Sequence, residues 1–139
     1  DYTVYPLEGF WDLTEKGRED FKKGFINKNE LLFKIMIRQP DFVDEDYAKF
    51  IIEEVKKNKF NKLLDEVKFE EIEEGKVVQM LHVGTYDSEV ESFKMMEEFV
   101  KEKGFERAER IHKEIYLSDA RKVEPEKLKT ILRFKVKKG

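Results

Sequence analysis

The sequence contains no cysteine, and its 139 residues include only two histidines. Without cysteine the chain can form neither a disulfide framework nor a thiolate metal site, and a cysteine nucleophile is excluded as well. His82 and His112 lie far apart, with no metal-ligand spacing around either of them. A catalytic zinc site needs three good ligands. The sequence therefore predicts no metal site and no cofactor.

The sequence also lacks a long apolar run and an excess of charge of one sign. No stretch approaches the ~20 apolar residues of a membrane-spanning helix, and the acidic start lacks the basic region of a signal peptide. The 28 basic and 31 acidic residues give a net charge of -3. This balance argues against a protein that holds nucleic acid through phosphate contacts, and no helix-turn-helix motif is evident. A cytoplasmic protein without membrane or nucleic-acid partners is expected.

The length of the chain predicts a single domain, and apolar periodicity indicates both helices and strands within it. The predicted elements are strands over 2–7, 30–38, 66–73, 76–83, 113–118 and 129–136, and helices from Thr14 to about 23, from Asp44 to about 57 and from Ser88 to Gly104. In the last helix, Ser88 and Glu91 are spaced as a capping box. The apolar residues of this helix are predicted to form one buried face: Val90, Phe93, Met96 and Val100.

The two halves of the chain resemble each other. Residues 3–7 align with 114–118, and 31–38 align with 129–136. The second half follows the order strand, helix, strand, strand, whereas the first half contains only the last two strands of such a unit. We therefore expect a pseudo-twofold pair of these units with a ligand groove between them.

In this division the first unit lacks its opening strand and helix. Residues 1–38 are the remainder of that unit, 39–75 form a connecting helix and strand, and 76–139 form the second unit. Such a chain should expose apolar surface at Val4, Leu31 and Phe33. An additional N-terminal segment or self-association is expected to cover it.

An acid lies inside the strand-like stretch IHKEIYLSD, residues 111–119. Alternation places Glu114 and Tyr116 on one face, and Ile115 and Leu117 on the other. If the second pair faces the core, Glu114 faces either solvent, as most strand acids do, or a cleft. The chain has 12 Phe, 5 Tyr and one Trp. Among aromatic rings a carboxylate loses hydration, and it can then bind a cation or act as an acid or base near neutral pH.

Several motifs resemble the GyrI-like small-molecule-binding family. They are HKEIYLSD at 112–119, RK at 121–122, LKTILR at 128–133, VVQMLHVGTY at 77–86 and IRQPDFV at 37–43. The resemblance implies a pseudo-twofold α+β fold, a groove for hydrophobic or cationic drug-like molecules, and a central acid at the position of Glu114. The branch that carries this motif resembles hydrolases of cyclopropane-containing, DNA-alkylating toxins.

The leading hypothesis is therefore a detoxifying hydrolase that acts on a small molecule. Glu114 would activate water or protonate the leaving carbonyl, and a tyrosine hydroxyl, from Tyr116 or Tyr5, would hold the same oxygen. The predicted ligand contacts are Trp11, Glu8, Phe10 and Tyr86. Trp11 could equally be a plug at the end of the core, and Glu8 could be an ordinary surface acid.

Two other functions remain open. In a module that sequesters or senses drugs without turnover, Glu114 would neutralise a cationic ligand inside an aromatic cage. A protein that inhibits another protein through an acidic face has little support from the balanced charge.

Overall fold

The computed structural model describes residues 3–59 and 61–139, which form two compact units. The smaller unit is Gln39–Glu73, and the larger unit contains the chain on either side of it. In chain order the elements are β1 (Leu7–Leu13), α1 (Glu15–Lys22), β2 (Leu31–Ile37), α2 (Glu45–Asn58), β3 (Val77–Val83), α3 (Glu89–Glu102), β4 (Phe105–Arg107), β5 (His112–Tyr116) and β6 (Lys129–Lys138). Single turns of 3-10 helix lie at Lys28–Glu30, Lys62–Glu66, Tyr86–Ser88 and Pro125–Lys127.

An antiparallel sheet of six strands forms the centre of the larger unit. Its strand order is β2-β1-β5-β6-β3, and the short β4 pairs with the end of β6. β1 and β5 are therefore neighbours in the middle of the sheet, although most of the chain separates them. Their register pairs Gly9 with Glu114 and Trp11 with His112. Since paired residues share a face, these four residues lie on the same side of the sheet.

The core lies between α3 and that same side of the sheet. Met96 and Val100 of α3 pack with buried residues of β3 and β6, namely Val78, Leu132 and Phe134. Each large apolar side chain buried in this way stabilises the fold by about 1.5–3 kcal/mol. Leu132 pairs with Glu114 in the register of β5 and β6. The acid consequently lies on the core side of the sheet, at the border of the apolar core.

α3 occupies its predicted place, but two details of its first turn were predicted wrongly. Ser88 precedes the helix without making a side-chain cap, because its hydroxyl donates to the carbonyl of Thr85 and contacts His82. Val90 is 53% exposed, and the buried positions of this turn are Glu89 and Ser92. A polar environment beneath the start of the helix thus replaces the apolar one expected there.

Two predicted strands were misplaced. The strand predicted over 2–7 begins instead at Leu7 and continues through the predicted loop, because pairing with β2 starts there and Pro6 has no N–H to donate. Position 2 lies outside the described residues. The edge strand predicted over 66–73 is absent from the described residues, since β3 pairs only with β6 among them. β4 was missed because three residues are too few to show alternation.

The outer strand β2 carries exposed apolar side chains on the same face as Gly9. Phe33 is 65% exposed, and Ile35 and Ile37 are also exposed. Val4 is exposed as predicted, whereas Leu31 is half-buried. Coverage of this surface by another segment or another copy stays a prediction.

In the smaller unit, α2 begins where the sequence predicted. The Asp44 side chain accepts a hydrogen bond of 2.8 Å from the backbone N–H of Tyr47, as an N-cap does. Lys56, in the last turn, forms ion pairs with Glu53 and Asp65. None of the described helices in either unit has the length and apolar character that crossing a membrane requires.

Candidate functional site

The absence of a side chain at Gly9 creates space beside Glu114. A Cβ atom at this position would lie 2.9 Å from Trp11 Nε1 and 3.5 Å from the hydroxyl oxygen of Tyr116. In that space the Trp11 indole N–H donates a hydrogen bond of 2.7 Å to the Tyr116 hydroxyl. The indole also packs against Phe33, with ring centroids 5.3 Å apart. Trp11 is thus held over the centre of the sheet by its neighbours on both sides.

Glu114 is only 7% exposed and is surrounded by hydrogen-bond donors. His112 Nε2 lies 2.7 Å from Glu114 Oε2, so this nitrogen carries the proton if the carboxylate is ionised. The Tyr116 hydroxyl accepts from Trp11 and lies close enough to Glu114 for the charge of this acid to act on it. The carboxyl group of Glu89 is the next neighbour of Glu114. A histidine, a tyrosine hydroxyl and a second acid therefore surround one buried carboxyl group.

Glu89 is the second buried acid, 8% exposed in the first turn of α3. Burial, followed by the negative charge of Glu114, raises the pKa of Glu89 to about 9. Within the described part of the chain, Glu89 Oε2 has no hydrogen-bond partner. Burial beside Glu114 therefore favours the neutral carboxylic acid form of Glu89.

Two tyrosines border the acids. Burial, followed by the charge of Glu114, raises the pKa of the Tyr116 hydroxyl, and the same two causes raise the pKa of Tyr86. Both hydroxyls therefore stay protonated near neutral pH and can donate. The two rings meet edge to face with centroids 6.2 Å apart, and Tyr86 is 42% exposed. Tyr86 forms the more open side of the site.

Three potential metal ligands also come together here. One donor atom from each of Glu89, His112 and Glu114 lies within 4.8 Å of the other two. Carboxylate and imidazole donors suit divalent metal ions. The sequence prediction of no metal considered only spacing around the histidines, and Glu89 comes from a different element. The absence of a metal stays a prediction.

Two of the predicted ligand contacts lie on the opposite face of the sheet. Glu8 pairs with Ile115 and Phe10 with Lys113, so both point away from the Glu114 side. Lys113 Nζ lies 3.0 Å from a carboxylate oxygen of Glu8 and 5.1 Å from the centroid of the Phe10 ring. Both residues thus contact a buried lysine, and they do not share a face with the acids.

The same lysine lies 2.6 Å from Glu74 Oε1. Burial opposes ionisation of Glu74, but hydrogen bonds and charges from Lys113 and Arg133 outweigh it and hold the pKa of Glu74 below its ordinary value. Two acids, Glu8 and Glu74, and two bases, Lys113 and Arg133, therefore form a balanced network that stabilises this face.

Tyr5, the other predicted catalytic tyrosine, precedes β1. It is partly exposed, and the Arg38 guanidinium lies 5.1 Å from its ring centroid. The structure brings together four of the predicted site residues: Glu114, Tyr116, Trp11 and Tyr86. The proposed match between Tyr5 and Tyr116 rested on the strand at 2–7, which the structure does not contain.

His82, Ser118 and Asp119 hold the site's surroundings in place. The His82 ring nitrogens lie 2.7 Å from Ser92 Oγ and 2.8 Å from the Thr85 carbonyl, so this buried histidine anchors the start of α3 to β3. Ser118 accepts from the backbone N–H of Lys129, and Asp119 binds Arg121. These three polar residues therefore have structural partners outside the carboxyl cluster.

Glu89 and His112 were the site residues that the sequence analysis did not select. Residues 89, 93, 96 and 100 share one face at helical spacing, and Met96 and Val100 mark that face as buried. Glu89 could have been recognised as an acid on this buried stripe. His112 lies two residues before Glu114, and alternation places both on one face, where Phe93 packs on the imidazole at 4.6 Å.

Buried acids edged by partly exposed aromatic rings are typical of a site for a small molecule. The sequence matches the GyrI-like small molecule binding domain over residues 13–137. The chain therefore belongs to the GyrI-like small-molecule-binding family.

Solved structures from Listeria innocua are similar to this chain, each with a TM-score of 0.83 and each covering 99% of it. A crystal structure of a hydrolase is 37% identical. One of an uncharacterized conserved protein is 38% identical, and a further hydrolase is 40% identical. The chain spans 64%, 66% and 65% of these relatives, respectively. A comparison with curated proteins gives no match.

Proposed function

We propose that this domain binds hydrophobic or cationic drug-like molecules beside Glu114 and hydrolyses electrophilic cyclopropane-containing toxins. One observation carries the proposal: a buried Glu114 carboxyl group, bound to His112 and next to the buried Glu89, is bordered by the rings of Tyr116 and the partly exposed Tyr86. Two of the similar solved structures are named hydrolases. The family relationship supports the binding of a small molecule, and the names of these two structures support hydrolysis as the reaction.

The surface around the acid suits a flat apolar ligand. Trp11 and Phe33 lie side by side, and Ile35 lies across from Gly9. Stacking on such rings and the burial of apolar ligand surface both favour binding. The strand order supports the pseudo-twofold arrangement, because β1 and β5 are central and each has its following strand, β2 or β6, on its outer side. The proposed ligand then lies across the two central strands, β1 and β5.

The proposed reaction adds water across one bond of a cyclopropane conjugated to a carbonyl group. Glu114 takes a proton from water while the water oxygen bonds to a ring carbon. The broken carbon–carbon bond delivers its electron pair through the conjugated system to the carbonyl oxygen. That oxygen, held by the Tyr116 hydroxyl, takes up the proton that Glu114 removed from water, and Glu114 is ionised again. General acid–base catalysis of this kind contributes roughly two to four orders of magnitude in rate.

A binding module without turnover is the second candidate. In that function Glu114 and the rings of Trp11, Tyr86 and Tyr116 neutralise and enclose a cation. The specific observation in its favour is that the charges of both acids act on the hydroxyls of the ring pair Tyr86 and Tyr116, so the acids and the rings lie close together.

The substitution Glu114→Gln separates the two functions, because it keeps the shape and removes the ionised form. For a hydrolase, turnover of a neutral, carbonyl-conjugated cyclopropane should fall by roughly two to four orders of magnitude while its affinity is retained. For a cation-binding module, affinity for a cationic dye should fall by about 1–3 kcal/mol. Glu126→Gln, in an exposed turn, is the matched control. Unchanged turnover and unchanged affinities in Glu114→Gln would contradict both functions.

A further inference from the structure

Glu89, His112 and Glu114 bring three potential metal ligands together from two elements of the fold. His112 and Glu114 lie two residues apart on β5, so both point to the side of the sheet that α3 covers. Glu89 reaches the same place from the first turn of α3. One donor atom from each residue lies within 4.8 Å of the other two. A central strand and a packed helix therefore hold the three donors in position.

The separations of these donors are close to those in a metal centre. Bonds from zinc to imidazole nitrogen and carboxylate oxygen are ~2.0–2.2 Å long, which places two ligands of a tetrahedral ion ~3.4 Å apart. His112 Nε2 and Glu114 Oε2 are 2.7 Å apart. Side-chain movements on the order of 1 Å are therefore enough to bring all three donors onto one ion, and neither β5 nor α3 has to move.

A second observation is an unused oxygen atom of Glu89. The carboxyl group points into the cluster, and the residue is 8% exposed. Its Oε2 atom is buried and has no hydrogen-bond partner among the residues that the structure describes. A buried polar atom without a partner is costly, and native proteins rarely keep one. This oxygen is consequently available to a group from outside the chain, and a carboxylate oxygen accepts a cation.

The charge of the cluster favours a divalent ion. Glu114 is 7% exposed, and within residues 3–59 and 61–139 neither acid forms an ion pair with a lysine or an arginine. Burying carboxylates without a cation is costly, and one divalent ion balances two of them. A set that contains imidazole suits transition-metal ions such as Zn²⁺, whereas Mg²⁺ and Ca²⁺ prefer oxygen ligands alone. The donor set therefore selects a transition metal.

We propose that Glu89, His112 and Glu114 form a binding site for a divalent transition-metal ion of the zinc type. This inference goes beyond the proposed function and does not rest on it. It departs from the sequence-based prediction of no metal, which did not include Glu89. Three protein ligands leave the fourth position of a tetrahedral ion to water or to an oxygen atom of a bound molecule. Metal binding also displaces any proton from its ligands.

Zinc binding by the metal-free protein tests the proposal. After dialysis against EDTA and then against chelator-free buffer, calorimetric titration with ZnCl₂ should give one ion per chain with a Kd below about 0.1 mM. Glu89→Gln and His112→Gln should each weaken binding by more than about tenfold, because even the loss of a group that only orients a ligand costs about 10- to 100-fold. Glu126→Gln, in an exposed turn, is the matched control and should bind as the parent does.

The two histidines of the chain give a readout in the parent protein, which does not require any variant to fold. Zn²⁺ should shift the imidazole nitrogen resonances of His112. The resonances of His82 should stay in place, because its ring nitrogens lie 2.7 Å from Ser92 Oγ and 2.8 Å from the Thr85 carbonyl. The melting temperature should rise with zinc concentration, since the folded chain alone presents the assembled site.

Three results would overturn the proposal. The first is a parent protein that does not bind Zn²⁺. The second is binding by Glu89→Gln and His112→Gln that is as tight as binding by the parent, which would place the ion elsewhere. The third is a zinc-dependent shift of the His82 resonances in place of those of His112.

Turnover separates the metal site from the proposed hydrolysis. A carboxylate that is bound to an ion is not free to remove a proton from water, so excess Zn²⁺ should inhibit turnover of the cyclopropane substrate and EDTA should restore it. Turnover that requires zinc would support the site and remove the role of Glu114 as a free base. If no substrate is turned over, the hydrolase function fails, and the binding measurements still test the metal site.

Discussion

Replacing Gly9 by alanine should disturb the site while leaving the stability of the fold nearly unchanged. The added Cβ would lie 2.9 Å from Trp11 Nε1, a distance too short for van der Waals contact, so the indole must shift by about 0.5 Å or more. The hydrogen bond from Trp11 to Tyr116, 2.7 Å long, would be broken or bent. The hydroxyl that borders Glu114 would then lose its fixed orientation.

The free energy of unfolding reflects two opposing effects. Loss of one hydrogen bond costs about 0.5–1.5 kcal/mol. Alanine in a strand is favoured over glycine by about 0.5–1 kcal/mol, because glycine loses more backbone entropy on folding. We therefore expect urea denaturation to give a change of less than about 1 kcal/mol. Turnover should fall by about ten- to a hundredfold, the scale for a catalytic group displaced by up to about 1 Å.

Trp11 is the single tryptophan of the chain, so its emission reports directly on this change. We expect the emission maximum of Gly9→Ala to shift even when the protein is fully folded. Trp11→Phe is the matched control for turnover, because it removes the donor without adding an atom at position 9. An unchanged emission spectrum together with unchanged turnover in Gly9→Ala would refute the reasoning. So would a loss of several kcal/mol in stability.

Three other substitutions test the remaining assignments. Lys113→Met should destabilise the fold by about 3 kcal/mol in urea denaturation, because it removes the cation paired with the largely buried Glu8 and leaves Glu74 with Arg133 as its remaining described cation. A loss below about 0.5 kcal/mol would contradict the network. His82→Leu should lower the melting temperature by several degrees and leave turnover per folded molecule unchanged, because the ring anchors α3 and does not reach the acids. A selective loss of turnover would make His82 a catalytic residue. Tyr116→Phe should reduce turnover at least tenfold, whereas Tyr5→Phe should not, and the reverse result would return the catalytic role to Tyr5.

Local patterns predicted most of the elements correctly. Thr14 as a cap located α1, and the spacing of apolar residues located α2 and α3. Alternation located β2, and β3 and β6 were also predicted close to their observed bounds. The strand at 2–7 was wrong because Leu7–Leu13 contains a glycine and two acids, which resemble a loop until the partner strands are known. Strand pairing is a long-range property, and one sequence does not show it.

For the same reason, only part of the candidate site could be predicted from the sequence. Glu114 and Tyr116 were correctly placed on one face, because alternation within a strand is local. The contact of Trp11 with Tyr116 depends on the pairing of β1 with β5. The same pairing places Glu8 on the opposite face of the sheet. The burial of Glu89 depends on how α3 packs on the sheet. Catalytic roles for all of these residues stay predictions.

The hydrogen bond between Trp11 and Tyr116 joins residues 105 positions apart. A contact this distant in sequence closes a very large loop, so it depends on the slow, non-local part of folding and cannot form from helices alone. In a refolding experiment, helical circular dichroism should therefore recover before tryptophan emission does. The delay between the two signals would give the time at which the distant chain segments meet and the binding site first exists.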